Sequence, residues 1–235
     1  MEGVTGYVYR NAYAKYYGGI VRYFTPFVAN KKLGHREKND VCPEHNAGMA
    51  VVPQILTNRA EDFLAIAEIL REYGYDTVNL NLGCPSGTVA ARGRGAGFLA
   101  MPDELDHFLE EIFEKCPLRI SIKTRIGKEN PAEWERLLAI YEKYPLEELI
   151  VHPRVQTDFY KNRVNLEAFA RAEKNSRHSL CYNGDIVDAA SAAHIREGFP
   201  SVDKFMIGRG LIKHPWLLEE LSGLSLIHIS EPTRH

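Results

Sequence analysis

The segment NLNLGCP at residues 79–85 is the first place in this chain where residue types and spacing suggest chemistry. Proline at position 85 disfavours helical backbone at Cys84 and holds that thiol on extended chain. Gly83 lets a ligand approach the backbone closely. Asn79 and Asn81 share strand parity, so both offer amide hydrogen bonds to the same side. A lone Cys-Pro is more often structural. The Asn-x-Gly-Cys-Pro context at the end of an apolar strand is what singles out Cys84.

Polar residues recur at the ends of the other apolar runs. Gln54 ends one, Lys123 and Arg125 (KTR) end another, and His152 and Arg154 (HPR) a third. Asn183, Gly184 and Asp185 (NGD) follow the next, and Gly208, Arg209 and Gly210 (GRG) the last. Surface chance explains one or two such endings but poorly explains five. NGD and GRG suit a phosphate: glycines expose backbone N–H groups, a following helix N-terminus favours an anion, and Arg209 adds a charge-assisted donor. Lys123 can donate to the pyrimidine edge of a flavin and stabilise its anionic reduced form. It can equally be a salt-bridged rim lysine or a Schiff-base amine, though the last leaves Cys84 without a role. His152 has a plainer alternative as a capping or packing residue.

These residues need a scaffold that gathers strand ends. Expected helices cover Thr5–Tyr16, a segment opened by Asn58 with Glu61 in a capping-box pattern and stopping near Gly74, Asp103–Phe113, Ala132–Lys143, Leu166–Lys174, Ala189–Arg196 and Pro215–Leu221. Expected strands are 20–24, 50–56, 77–82, 119–123, 148–152, 179–183 and 203–208. They are short and apolar on both faces, as parallel strands under helices are. The alternation predicts an α/β chain with a TIM-type (β/α)8 barrel over residues 1–221, whose functional rim lies at the C-terminal strand ends. Seven strands are counted and a helix comes first, so the first barrel strand is expected upstream of Met1, which would make Met1 internal to a longer protein. Residues 222–235 are expected to fit no barrel element; LSLIHISEPTRH reads as translated vector or adapter sequence, a non-native tail, with a genuine, mobile C-terminus as the plainer alternative.

The 235 residues suit one such domain, and 45% apolar with 26% charged residues is ordinary for a globular chain. No apolar run approaches the roughly 20 residues of a membrane span, and the N-terminal residues lack the features of a signal peptide, so cytoplasmic location is the expectation. A net charge of −2 lacks the basic excess of most nucleic-acid binders, so any RNA contact is expected from a local basic patch or from a part of the protein not present here. Cys42, Cys84, Cys116 and Cys181 form no C-x-x-C pair and suggest neither a zinc site nor a disulfide framework. Cys116 and Cys181 read as packing residues.

Taken in order, MEGVTGYVYR, the strand with Gln54, NLNLGCP, RGRGAGFL at 92–99, KTR, HPR, NGDI and IGRG resemble the tRNA-dihydrouridine synthases over roughly residues 1–221. The resemblance implies a barrel holding FMN, reduced by NADPH, that passes hydride to C6 of a uridine in tRNA while a cysteine protonates C5. On that pattern Cys84 is the acid, and an ordinary thiol pKa of ~8.5 fits: protonated at neutral pH, yet able to give the proton up. Met1, Glu2, Gln54, Lys123, His152, Asn183, Gly184, Asp185, Gly208 and Arg209 are the implied cofactor positions. Asn81, Arg125 and Arg154 are expected at the substrate, while Arg92 and Arg94, with Lys161 and Arg163, lie in rim loops that can hold RNA phosphates. The family's first-strand residues and helical C-terminal domain are not found, so the chain alone is expected to be weakly active or inactive, with monomer as the default state. The alternatives are a dihydroorotate-dehydrogenase-like flavoprotein and a non-catalytic RNA-binding fragment.

Overall fold

The computed structural model describes residues 3–17 and 19–222, together with the backbone of residues 228 and 229. Its strands are β1 Tyr23–Val28, β2 Val51–Ile55, β3 Thr77–Leu82, β4 Arg119–Arg125, β5 Leu149–His152, β6 Leu180–Tyr182, β7 Lys204–Phe205 and β8 His228–Ile229. They lie side by side in chain order, every neighbouring pair parallel. The helices are α1 Tyr7–Tyr16, α2 His35–Val41, α3 Ala60–Glu72, α4 Gly87–Ala90, α5 Pro102–Lys115, α6 Glu133–Tyr141, α7 Leu166–Asn175, α8 Ala189–Gly198, α9 Arg209–Lys213 and α10 Leu217–Ser222. This is the expected α/β alternation of a TIM-type barrel, with a curled parallel sheet inside and helices outside. Among residues 222–235, the described backbone of β8 pairs with β7. No helix among the described residues is long and apolar enough to cross a membrane.

Each layer follows from residue type. β3 is buried along its whole length, as an interior parallel strand covered on both faces must be. Helix α3 buries Phe63, Ile66, Ala67 and Leu70, the stripe expected from helical spacing, and α5 buries Leu105, Phe108, Leu109 and Ile112. Phe108 stands edge-on to both Phe63 (6.1 Å, 85°) and Phe98 (5.4 Å, 72°). Phe98 lies in a 3-10 segment, Gly95–Ala100, that folds back onto the loop after β3. The outer helices therefore hold the rim loop through one aromatic cluster.

Three local expectations need correction. The first strand runs Tyr23–Val28 rather than 20–24. Pro26 has no N–H for the ladder, and the register with β2 shifts between Phe24 and Phe27, so the strand bulges there and continues. Asn58 does not cap α3: the helix begins at Ala60 with Arg59 at the N-cap, and the Asn58 amide donates instead to the Arg92 carbonyl (3.2 Å). Helix α2 forms where only a polar stretch was expected. Its seven residues bury just Asp40 and Val41, too few for a helical period to appear in sequence, and Glu37 closes its first turn on the Gly34 N–H (2.7 Å). Its anchor is Arg10 of α1, whose guanidinium donates to the carbonyls of Thr5 (2.8 Å) and Asp40 (2.5 Å) and to Asn46 Oδ1 (2.8 Å).

Phe108→Ala is expected to cost about 3–5 kcal/mol, as large-to-small changes in a packed core do. Urea unfolding measures the loss, and limited proteolysis within Gly95–Ala100 should quicken in the same variant.

Candidate active site

A cavity of about 790 Å³ reaches the C-terminal ends of the strands and continues to Arg22, Tyr23, Glu148 and Lys204 at the opposite ends, a size that can enclose most of a cofactor-sized ligand. Its lining includes Gln54, Asn81, Cys84, Lys123, His152, Asn183, Gly184, Asp185, Gly208 and Arg209. The sheet register explains the convergence, since Gln54 pairs with Asn79, Asn81 with Lys123, and Arg125 with His152. Side chains at alternate positions of neighbouring parallel strands thus stand in rows on the inner face.

Four amide and hydroxyl side chains form a continuous line beneath Cys84. The Ser121 hydroxyl donates to the Val78 carbonyl (3.3 Å) and accepts from Asn79 Nδ2 (2.9 Å). Asn79 Oδ1 accepts from Gln54 Nε2 (2.9 Å), and Gln54 Oε1 accepts from Asn81 Nδ2 (2.7 Å). Asn81 Oδ1 then receives the backbone N–H groups of Gly83 (3.0 Å) and Cys84 (2.9 Å), shaping the turn that presents the thiol. From the other side the Ala96 N–H donates to the Cys84 carbonyl (3.1 Å). Gly95 sits at φ +55°, where a Cβ would come within 2.9 Å of the Cys84 Cβ, so only glycine fits this approach. That is the physical content of the RGRGAG segment.

Lys123 is half-buried against Gly83 and has no hydrogen-bond or ion-pair partner among the described residues. Burial, and secondarily the Arg125 charge, lower its pKa to about 8. The ammonium form still prevails at neutral pH. Burial also holds the His152 imidazole neutral, well below its ordinary pKa, with Lys123, Arg125, Arg154 and Arg209 adding to the effect. Arg154 Nη1 lies 3.1 Å from His152 Nε2, and an arginine can only donate, so Nε2 accepts and the proton of the neutral ring is on Nδ1.

The structure divides the arginines into two groups. Arg125 is fully buried and absent from the cavity lining; its Nε donates to the Gly83 carbonyl (3.0 Å), Nη1 to Val155 (2.8 Å) and Nη2 to Phe159 (2.7 Å). Arg154, also buried, donates to the Asn162 carbonyl (2.7 Å) and makes a two-pronged pair with Asp185. Both were expected at the substrate; here their guanidinium groups hold loops and neighbouring site residues. Arg209 is exposed, shares Asp185 (3.1 Å) and stacks 4.2 Å from the Tyr160 ring centroid. Arg92 and Arg94 stand on the rim beyond the cavity lining, Arg92 exposed and Arg94 half-buried. Met1 and Glu2 lie outside the described residues.

The NGD and GRG loops pack together. The Asn183 amide donates to the Met206 carbonyl (2.7 Å), and a Cβ on Gly210 would collide with the Ile186 carbonyl. Asp185 takes a left-handed backbone, φ +37°. Sequence reasoning missed Phe159 and Tyr160, two exposed aromatics lining the cavity mouth. Tyr160 stacks on His152 (6.0 Å) and lies 5.3 Å from the Arg125 guanidinium. The available signal was an aromatic pair set among the charges of HPRVQTDFYKNR.

Comparison with known proteins gives concordant matches. A family model described as dihydrouridine synthase (Dus) matches residues 1–233. The tRNA-dihydrouridine synthase B of Pasteurella multocida is 25% identical over 228 residues, 95% of this chain and 68% of the relative. The probable tRNA-dihydrouridine synthase 2 of Bacillus subtilis is 26% identical over 229 residues, 94% of this chain and 70% of that protein. The fold is also similar to a solved structure of a variant of NCR from Zymomonas mobilis, with a TM-score of 0.62 at 13% identity, covering 95% of this chain and 82% of that one.

Two measurements probe the charged groups. Arg125→Met leaves three loop carbonyls without their donor and is expected to destabilise by roughly 2–4 kcal/mol; Arg125→Lys should recover little, because a single ammonium cannot span all three. Lys123 binds its proton less tightly folded than unfolded, so its penalty is full below about pH 8 and fades as pH rises toward 10.5. Lys123→Met should therefore stabilise the unliganded protein near neutral pH, with the gain vanishing through that window in a pH series of thermal melts.

Proposed function

The chain belongs to the dihydrouridine synthase family, and from that premise we propose that it reduces the C5=C6 bond of uridine in tRNA, with Cys84 as proton donor. FMN, re-reduced by NADPH, supplies the hydride when bound. The observation that carries this reading is one cavity lined at once by a thiol, an ammonium without a partner among the described residues, and the polar ends of several strands.

The residues present fit such a cofactor. Lys123 is a half-buried cationic donor with no neutralising partner among the described residues, which suits an edge that gains negative charge on reduction. Gln54 has one Nε2 proton engaged with Asn79, and the other remains for a ligand carbonyl or ring nitrogen. Gly184, Asp185, Gly208 and Arg209 form the packed pair of loops at the far side, with backbone N–H groups and an exposed guanidinium for a phosphate. Asn183 and neutral His152 complete the wall. These are the positions assigned from the family pattern, Met1 and Glu2 apart.

At the mouth, Cys84 gives its Sγ proton to C5 of the uracil as C6 receives hydride, and the resulting thiolate is reprotonated from solvent. A base must leave its stack to enter, and Phe159 and Tyr160 offer it exposed aromatic surface there. Arg92 and Arg94 on the rim suit RNA phosphates. Arg125 and Arg154 act on substrate indirectly, by fixing the loops and the imidazole that meet it. The family match favours this reading over a dihydroorotate-dehydrogenase-like enzyme.

Cys84→Ala is expected to keep a yellow, flavin-loaded protein while single-turnover reduction of tRNA uridine falls roughly 10²–10⁴-fold. Unchanged single-turnover rates would remove Cys84 from the mechanism.

A further inference from the structure

We infer that Asn79 is a positioning residue of the site: it never meets the ligand, yet holds the Gln54 and Asn81 amides so that the Cys84 turn and the Gln54 donor are both set before anything binds. The inference deepens the proposed function and rests on it for the identity of the ligand.

Asn79 and Ser121 are completely buried, and neither lines the cavity. Each link between them and Cys84 has only one workable orientation. The backbone N–H groups of Gly83 and Cys84 can only donate, so Asn81 must turn its carbonyl to them and its NH2 to Gln54. Gln54 must then answer with its carbonyl and present NH2 to Asn79. Asn79 must answer likewise, and Ser121 closes the series because its hydroxyl can accept from Asn79 and donate onward to the Val78 carbonyl. A donor chain is thus terminated at both ends by backbone. Removing Asn79 leaves the buried Ser121 hydroxyl without its donor and the Gln54 amide, at the cavity wall, without its anchor, so the Gln54 side chain can then swing from Asn81.

The test uses the full chain and two readouts besides turnover. The first is the alkylation rate of Cys84 by iodoacetamide in flavin-free protein, followed by peptide mass spectrometry so that the other three cysteines are counted separately. The second is the affinity and visible absorption maximum of added FMN. Asn79→Leu, of similar volume but without polar atoms, should raise Cys84 alkylation and weaken FMN about five- to tenfold, with a shifted absorption maximum. Asn79→Asp should stay close to wild type in both at a pH below the raised pKa of that buried carboxyl, since the protonated acid still accepts from Gln54 and donates to the Ser121 hydroxyl.

If Asn79→Leu lowers the melting temperature while alkylation, affinity and spectrum are unchanged, the residue is merely structural and the inference fails. Should that variant not fold, Ser121→Ala tests the same link: faster alkylation supports positioning, and a wild-type rate overturns it. A wild-type protein that binds no FMN would defeat the proposed function, while the flavin-free alkylation comparison would still decide the role of Asn79.

Discussion

Two backbone N–H groups at the end of β3 can give hydrogen bonds but not take them, and that asymmetry organises the heart of this protein. In water it would matter little, because solvent satisfies amides in either orientation. In the interior between β2, β3 and β4 it dictates how Asn81, Gln54 and Asn79 each face, back to a carbonyl on β3 itself. The loop carrying Cys84 is thereby referenced to a strand buried along its whole length. The aromatic cluster around Phe108 holds the opposite side of the same loop through Gly95–Ala100. A thiol placed between two such supports needs little reorganisation when a ligand arrives.

Charge is the second organising feature. Lys123, Arg125, Arg154 and Arg209 gather around the cavity, and Asp185 is the carboxylate that pairs with two of them. Arg125 is spent on carbonyls and Lys123 on no group among the described residues. The site is therefore locally electropositive in a chain whose net charge is −2. Whole-chain charge argued against a nucleic-acid binder, whereas the field that matters is local and set by burial. The neutral state of His152 comes from the same crowding: once its burial is paid for, a further cation among these four has no favourable place.

Much of this was legible in the residues. TVNLNL reads as a buried parallel strand and is one over its full length, and polar residues at successive strand ends do converge on one cavity. Both follow from local pattern plus the geometry of a parallel sheet. The contacts of Arg125 and Arg154 were not legible, because a guanidinium turned toward loop carbonyls and one turned toward a ligand have the same sequence signature. Asn79 could be placed on the correct face, but its partners Gln54 and Ser121 lie on other strands, and only the register joins them. Helix α2 and the bulge at Pro26 escaped for the same reason. A seven-residue helix with six polar residues and a strand proline make sense only beside the tertiary contacts that hold them.

Arg125 has one more consequence. Its three donors join the carbonyl of Gly83, after β3, to those of Val155 and Phe159, after β5. Two excursions separated by some seventy residues of chain are in effect one piece, mortised by a single planar group. Insertions or deletions in either excursion would have to respect the other, so evolutionary drift in their lengths should be correlated.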